Sequence, residues 1–395
     1  MTLPNAAPAM VPDRRLDLDW LRIAAFGLLI FYHVGMFYVS WGFHVKSSHA
    51  GPAAEPLMLL LNPWRLTLLF VISGCATRFM LDKMKTGAFV GSRTVRLLVP
   101  LVFCMFVIVP PQTYFEVVEK LGFSGGPAEF YGKYVTASGG WDIITPTWNH
   151  LWFVAYLFVY TLLVVAIGPL LKRLPAGIFR PLASGAPILI LPFAWLVITR
   201  LTLEPTFGET HALFDDWYAH TLYFPAFLFG YAIAKHERFF EFCQRARWPM
   251  LVIALASWAT LQVGRAMLGS FAAAPDPAIA LLGTSLRELQ AWTMIIALFG
   301  FARKHLRRDN AARRYLTDAI FPFYIIHQTT IVVAGFYLND LGWPLWIEVP
   351  LLITITAASC WLGYEIVRRI GFLRPLFGLK LERASKQQRA ALASA

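Results

Sequence analysis

The chain has 395 residues, of which 57% are hydrophobic, 15% aromatic and only 15% charged, and it carries a net charge of +12. A soluble domain carries about a quarter charged residues, so these proportions exclude an ordinary soluble enzyme and predict an all-α polytopic membrane protein. In a soluble protein the excess of positive charge would raise the question of nucleic acid as a partner; here its distribution along the chain answers it.

Residues 1–15 read as a cytoplasmic N-terminal segment. They lack the charged start, short apolar core and small-residue cleavage site of a secretory signal, so the mature chain is expected to begin at Met1, with Arg14 and Arg15 holding that end inside. Apolar runs near the ~20 residues needed to cross a bilayer then predict about ten transmembrane helices, at 16–40, 57–81, 94–112, 150–171, 181–201, 219–234, 248–267, 280–301, 315–337 and 345–367. Ten spans return the C-terminus to the cytoplasm. On this topology 27 of the 35 Lys and Arg residues face the cytoplasm, while Glu204, Glu209, Asp215, Asp216 and Asp340 collect outside. The bias satisfies the positive-inside rule, so the basic charge is topological and nucleic acid is not an expected partner. Membrane lipids are.

The first span contains Arg22 and His33. Eleven residues at about 100° each bring them to within roughly 20° of one face, about three turns apart. A charged or titratable group at membrane depth costs several kcal/mol unless it meets a cavity or a partner, which makes the pair a site candidate. Asp19, three residues before Arg22, could pair with it within the helix. Arg65 in span two and the Arg287–Glu288 pair of span eight read as structural. His327 in span nine reads equally as a link between helices or as part of a site.

At the cytoplasmic entrance of span three, Arg93 and Arg96 present two guanidinium groups on one helical face near a helix N-terminus, a grip suited to phosphate; ordinary anchoring by positive charge explains them as well. The loop 113–149 is long enough to be functional. At the outer end of span four, Trp148, Asn149, His150 and Trp152 combine aromatic faces with polar edges, which suits a sugar, as an interfacial aromatic belt also would. Cys75, Cys104, Cys243 and Cys360 lie singly and read as packing residues, and no spacing suggests a metal site. Residues 371–395 read as a basic cytoplasmic tail.

Asp19-Trp20-Leu21-Arg22 with His33, Phe70-Val71-Ile72-Ser73-Gly74, Arg93-x-x-Arg96, Leu151-Trp152-Phe153 and Tyr324-x-x-His327 occur in an order that resembles the acyltransferase-3 family of integral-membrane acyltransferases. The resemblance covers about residues 14–370, and the domain is drawn as 16–370. The wording of span one, Leu18-Asp19-Trp20-Leu21-Arg22, is most similar to the glucan biosynthesis protein C-like branch, which is associated with succinylation of glucans. The resemblance implies O-acyl transfer from acyl-CoA, acetyl-CoA or succinyl-CoA, to a hydroxyl of a carbohydrate or glucan at the outer face of the bacterial inner membrane. It implies that Arg22 and His33 are the catalytic arginine–histidine motif and that Arg93 and Arg96 serve the acyl donor. Trp148, Asn149, His150, Trp152 and His327 are the expected substrate-binding residues. His33 acts on this reading as a general base or as a transient acyl carrier. No extracytoplasmic domain is appended, so direct transfer to the acceptor is the simpler expectation. The alternative is a transporter or flippase using the intramembrane Arg and His residues as a path, but the chain lacks an interrupted, symmetry-related helix pair, and that reading leaves Arg93-x-x-Arg96 without a role.

Overall fold

The computed structural model describes residues 14–173, 185–269 and 276–381. Residues 1–13, the first four residues of the predicted fifth span, Arg180 and the tail with Arg383, Lys386 and Arg389 lie outside them. Among the described residues there is no strand. In chain order the helices are α1 (Leu16–Tyr38), α2 (Glu55–Leu81), α3 (Thr86–Arg93), α4 (Val99–Val107), α5 (Pro110–Leu121), α6 (Pro127–Val135) and α7 (Trp152–Arg173). They continue with α8 (Pro187–Phe207), α9 (Trp217–Ile233), α10 (Glu237–Leu268), α11 (Pro277–His305), α12 (Ala311–Asn339), α13 (Leu345–Arg369) and α14 (Leu373–Leu376).

Each predicted span is met by helix, and among the described residues eight helical stretches are long and apolar enough to cross a membrane. The other two spans fall on α9, which has 17 residues, and α11, which carries Arg287 and Glu288 in its middle. Both pack among the apolar helices, α9 on α2 and α11 on α10. The protein is thus an all-α polytopic membrane protein.

The third span differs most from its prediction. α3 and α4 are joined by a π-helical stretch, Thr94–Leu98, that carries Arg96. Pro100 has no N–H to close on the Arg96 carbonyl, so the regular hydrogen-bond ladder cannot run through this point. The apolar helix ends at Val107 and α5 starts afresh at Pro110, so α5 and α6 occupy much of what reads as a long loop in sequence. Gly122, at φ 65°, then supplies the left-handed residue that ends α5.

Polar side chains close the ends of the bundle. Lys46 donates to the Met36 carbonyl at 2.7 Å, satisfying an oxygen that α1 leaves open at its C-terminus, and to the Trp41 carbonyl just beyond the helix at 3.0 Å. Asp276 accepts from the Ala278 amide at 2.8 Å and Asn310 from the Arg313 amide at 2.8 Å, capping α11 and α12. One end of the molecule gathers Arg15, Arg303 and Glu237, with Trp20 donating to the Arg308 carbonyl. The other gathers Arg265–Glu55, Ser47–Glu348 and the amide of Ser48 on Asn339. We refer to these as the basic end and the opposite end. The start of the predicted tail packs back on the basic end: the Phe377 ring lies 5.7 Å from that of Phe103, and Phe377 and Leu379 are buried.

The core runs along α1, α2, α7, α9, α11 and α12 and is made of Leu, Phe, Tyr, Val and Ile. All four cysteines are buried thiols. Within it α2 and α9 approach at two glycines, Gly74 against the Phe227 carbonyl and Gly230 against that of Val71. Small residues let membrane helices meet backbone to backbone. A methyl group at either position would overlap a carbonyl oxygen rather than a flexible side chain. Gly74→Ala and Gly230→Ala are each expected to destabilise by about 1–3 kcal/mol or more through overpacking, read as a lower thermal midpoint of the purified protein, with no such loss for Gly27→Ala, which faces open space.

Candidate active site

α1 carries Arg22 toward the basic end and His33 toward the opposite end, roughly 17 Å apart along the helix axis. At the basic end Asp19 commits its carboxylate elsewhere. It accepts from Arg313 at 2.7 Å and from Arg14 at 2.7 Å, while Arg22 comes no nearer than 3.7 Å. The expected intrahelical pair is therefore weak, and Arg22 Nε has no hydrogen-bond partner. Arg22 lies within electrostatic reach of Arg96, and Arg93 of both. The three cations that the sequence distributes over two segments thus converge. Arg93 Nε also lacks a partner, and Arg96 Nε donates to the Gly378 carbonyl at 3.3 Å. Arg96 faces a cavity of about 550 Å³ with Arg368, Arg369, Arg374 and Lys380 on its walls and Asp318 as the acid.

At the opposite end His33 lines a second cavity, of about 510 Å³, together with Trp148, Asn149, His150 and Trp152. His327 stands behind His33, fully buried. His327 Nδ1 is 2.7 Å from the Tyr324 carbonyl and its Nε2 is 2.9 Å from His33 Nδ1. A carbonyl only accepts, so in the neutral rings His327 carries its proton on Nδ1, and its Nε2 accepts from His33 Nδ1–H. That fixes the His33 tautomer and leaves the lone pair on Nε2, which has no protein partner among the described residues.

His150 is also committed, with Nε2 donating toward the Tyr324 and Ile325 carbonyls at 3.1 and 3.2 Å. Tyr324 returns a hydroxyl bond to the His150 carbonyl. α7 and α12 are thereby locked together beside the His33–His327 pair.

A polar chain that the sequence gives no sign of runs along one side of this cavity. Glu116 accepts from His44 Nδ1 at 2.5 Å, His44 Nε2 accepts from Gln328 at 2.8 Å, and Gln328 donates to Gln112 at 3.2 Å. Asn149 donates to the same Gln112 oxygen at 3.1 Å. Facing it, Trp152 stacks on His211 at 4.0 Å between centroids and 13° between planes, and Trp148 Nε1 donates to the His211 carbonyl at 2.9 Å. His211 and Tyr223 both reach Glu209, at 3.1 and 2.6 Å.

The deep charges sort into two kinds. Arg200 and Arg287 share Glu288, at 2.5 and 2.8 Å, so the Arg287–Glu288 pair is tied to α8. Arg65, on the wall of the same cavity, is 8% exposed. Its guanidinium lies 3.3 Å from the Tyr32 ring centroid, and its Nε and Nη1 have no hydrogen-bond partner.

The acyltransferase domain of the acyltransferase-3 family matches residues 15–365, and the chain belongs to that family; it is an integral-membrane acyltransferase. It is similar to Glucans biosynthesis protein C of Escherichia coli O139:H28, with 25% identity over 95% of this chain and 96% of the relative. The protein of the same name from Escherichia coli K12 is 24% identical over 95% of this chain and 96% of its own length. No solved structure matches significantly.

Glu209 lies in the α8–α9 loop, at the cavity wall. Burial would raise its carboxyl, but the bond and charge of His211, the Tyr223 hydroxyl and the charge of Arg287 outweigh it and hold the group at about 2, below the usual 4.5. A carboxyl lowered on folding contributes stability that is complete above the unfolded value and is lost as the pH falls through the folded one. The thermal midpoint is therefore expected to fall between about pH 4.5 and about pH 2, and Glu209→Gln should flatten that dependence. An unchanged slope in the variant would assign the loss to other carboxylates.

Proposed function

We propose that this protein moves an acyl group, acetyl or succinyl, from acyl-CoA to a hydroxyl of a carbohydrate at the outer face of a bacterial inner membrane, the acceptor being a glucan as the relatives' name suggests. One observation carries the reading. The same helix, α1, presents Arg22 to a group of cations at one end of the molecule and His33 to a large polar cavity at the other.

The basic end suits the donor's phosphates. Arg22 and Arg93 have buried guanidinium nitrogens without partners, and such groups are costly to retain unless a ligand meets them. Arg96 adds the 550 Å³ cavity it shares with Arg368, Arg369, Arg374 and Lys380. By the positive-inside rule this end faces the cytoplasm, where acyl-CoA is made. Arg93 and Arg96 grip the phosphates, and Arg22 guides the arm that carries the thioester toward His33.

The opposite end suits the acceptor. Trp148 and Trp152 offer faces to a sugar ring, and Asn149 and Glu209 offer polar edges. His33 Nε2 takes the proton of the acceptor hydroxyl as its oxygen bonds to the acyl carbon. When the carbon–sulfur bond breaks, the same nitrogen returns the proton to the departing thiolate. His327 holds the His33 ring in the required tautomer, the role that a buried carboxylate plays in a hydrolase triad, here ending on a backbone carbonyl. No side chain needs to carry the acyl group.

The test uses purified protein in nanodiscs with labelled acyl-CoA and a glucan oligosaccharide. His33→Ala is expected to abolish label transfer while leaving donor binding intact; transfer at the wild-type rate would overturn the assignment. Arg93→Ala with Arg96→Ala should raise the donor KM by about tenfold or more, since each removes a charge-assisted bond worth about 1.5–3 kcal/mol. An unchanged KM would return the pair to anchoring.

A further inference from the structure

Arg65 is the cation that the structure leaves unexplained. It sits on α2 at the wall of the His33 cavity. Burying a cation at membrane depth is costly, and the other arginines of this cavity offset that cost with carboxylates. Arg200 has Glu288 and Glu204, and Arg287 has Glu288. Among the described residues Arg65 has no such partner; its stabilising contact is the face of Tyr32, at 3.3 Å. Stacking on an aromatic face satisfies the guanidinium plane but not its in-plane N–H groups. Two of its three nitrogens, Nε and Nη1, are buried without a hydrogen bond.

Position gives those N–H groups a use. Tyr32 adjoins His33 on α1, so the Arg65 charge is stacked beside the residue next to the proposed base, and Arg65 lies within electrostatic reach of His33 itself. Asn62, one turn before Arg65 on α2, donates to the Tyr32 hydroxyl at 2.8 Å and fixes the ring on which the guanidinium rests. The seat is thereby built before any ligand arrives.

We propose that Arg65 is a catalytic residue, whose guanidinium forms an oxyanion seat that holds the acyl carbonyl oxygen during transfer. This inference rests on the reading of the protein as an acyl-CoA-dependent transferase with His33 as base. As the acceptor oxygen bonds to the acyl carbon and its proton passes to His33, the carbonyl π electrons move onto the carbonyl oxygen. Arg65 donates to that oxygen with N–H groups that have no other partner. When the carbonyl re-forms, the carbon–sulfur bond breaks and the thiolate takes the proton from His33. Donors aimed where charge develops, in a site with little water, are worth more than the same bonds in solvent.

Three variants, Arg65→Gln, Arg65→Met and Arg65→Ala, test this against wild type in nanodiscs. Loss of one oxyanion donor is expected to lower kcat by about 10²–10³ with the donor KM unchanged, and added guanidinium ion at a non-denaturing concentration should restore part of the kcat of Arg65→Ala. Arg65→Met retaining wild-type kcat overturns the seat, as does a loss of kcat that guanidinium leaves unrestored in Arg65→Ala with a wild-type thermal midpoint. A second arm needs no turnover. Methylphosphonate, a small tetrahedral oxyanion, should raise the thermal midpoint of wild type more than that of Arg65→Gln, and equal shifts count against the seat. If wild type transfers no acyl group from acyl-CoA yet this difference holds, the anion seat stands and the proposed reaction falls.

Discussion

The cost of placing ionisable groups among membrane helices governs this structure. Water and counter-ions are absent there, so a buried cation needs a carboxylate, an aromatic face or a ligand. The first two are visible in the structure. Arg313 is almost fully buried and is held between Asp19 and Asp309, and Arg200 and Arg287 close on Glu288. Arg22, Arg65 and Arg93 keep nitrogens with no partner. Arg22 and Arg93 lie in the cation group at the basic end, and Arg65 lies on the wall of the His33 cavity beside the paired Arg200 and Arg287.

The same constraint explains why α1 is central. Arg22 and His33 would each be unfavourable in a helix surrounded by lipid. Asp19 ties the basic end of α1 to α12 through Arg313, and His33 ties the opposite end to α12 through His327. Two polar links about four turns apart fix both the height and the rotation of α1 against α12. The general base proposed for His33 needs a ring that cannot turn, and here the contacts that make the helix tolerable in the membrane are those that hold the ring.

The π-helical stretch at Thr94–Leu98 works in a similar way at the basic end. A regular helix through Pro100 would have continued α3 into α4 without a change of face. The widened turn instead sets Arg96 beside Gly378, which returns from the far end of the chain with φ 71° and packs against the Arg96 carbonyl. The segment after α13 is therefore part of the wall around the cation cluster.

The sequence by itself determined whatever depends on local spacing and composition. The apolar runs gave the long helices, the distribution of Lys and Arg gave the two ends, and an interval of eleven residues put Arg22 and His33 on one face of α1. The glycines of Phe70-Val71-Ile72-Ser73-Gly74 and α9 were visible, but their mutual contact was not. Tertiary structure alone decided which deep charges were neutralised, because that depends on how each helix is rotated against its neighbours. Arg287 has Glu288 beside it in sequence, but nothing in the sequence shows that Arg200 joins the same carboxylate or that Arg65 meets none. Only the packing of α8 against α11 brings Arg200 to Glu288 and leaves Arg65 without a carboxylate. In the same way the bond between His33 and His327, 294 residues apart, and the chain from Glu116 through His44 to Gln112 follow from helix rotation, which no single periodic pattern encodes.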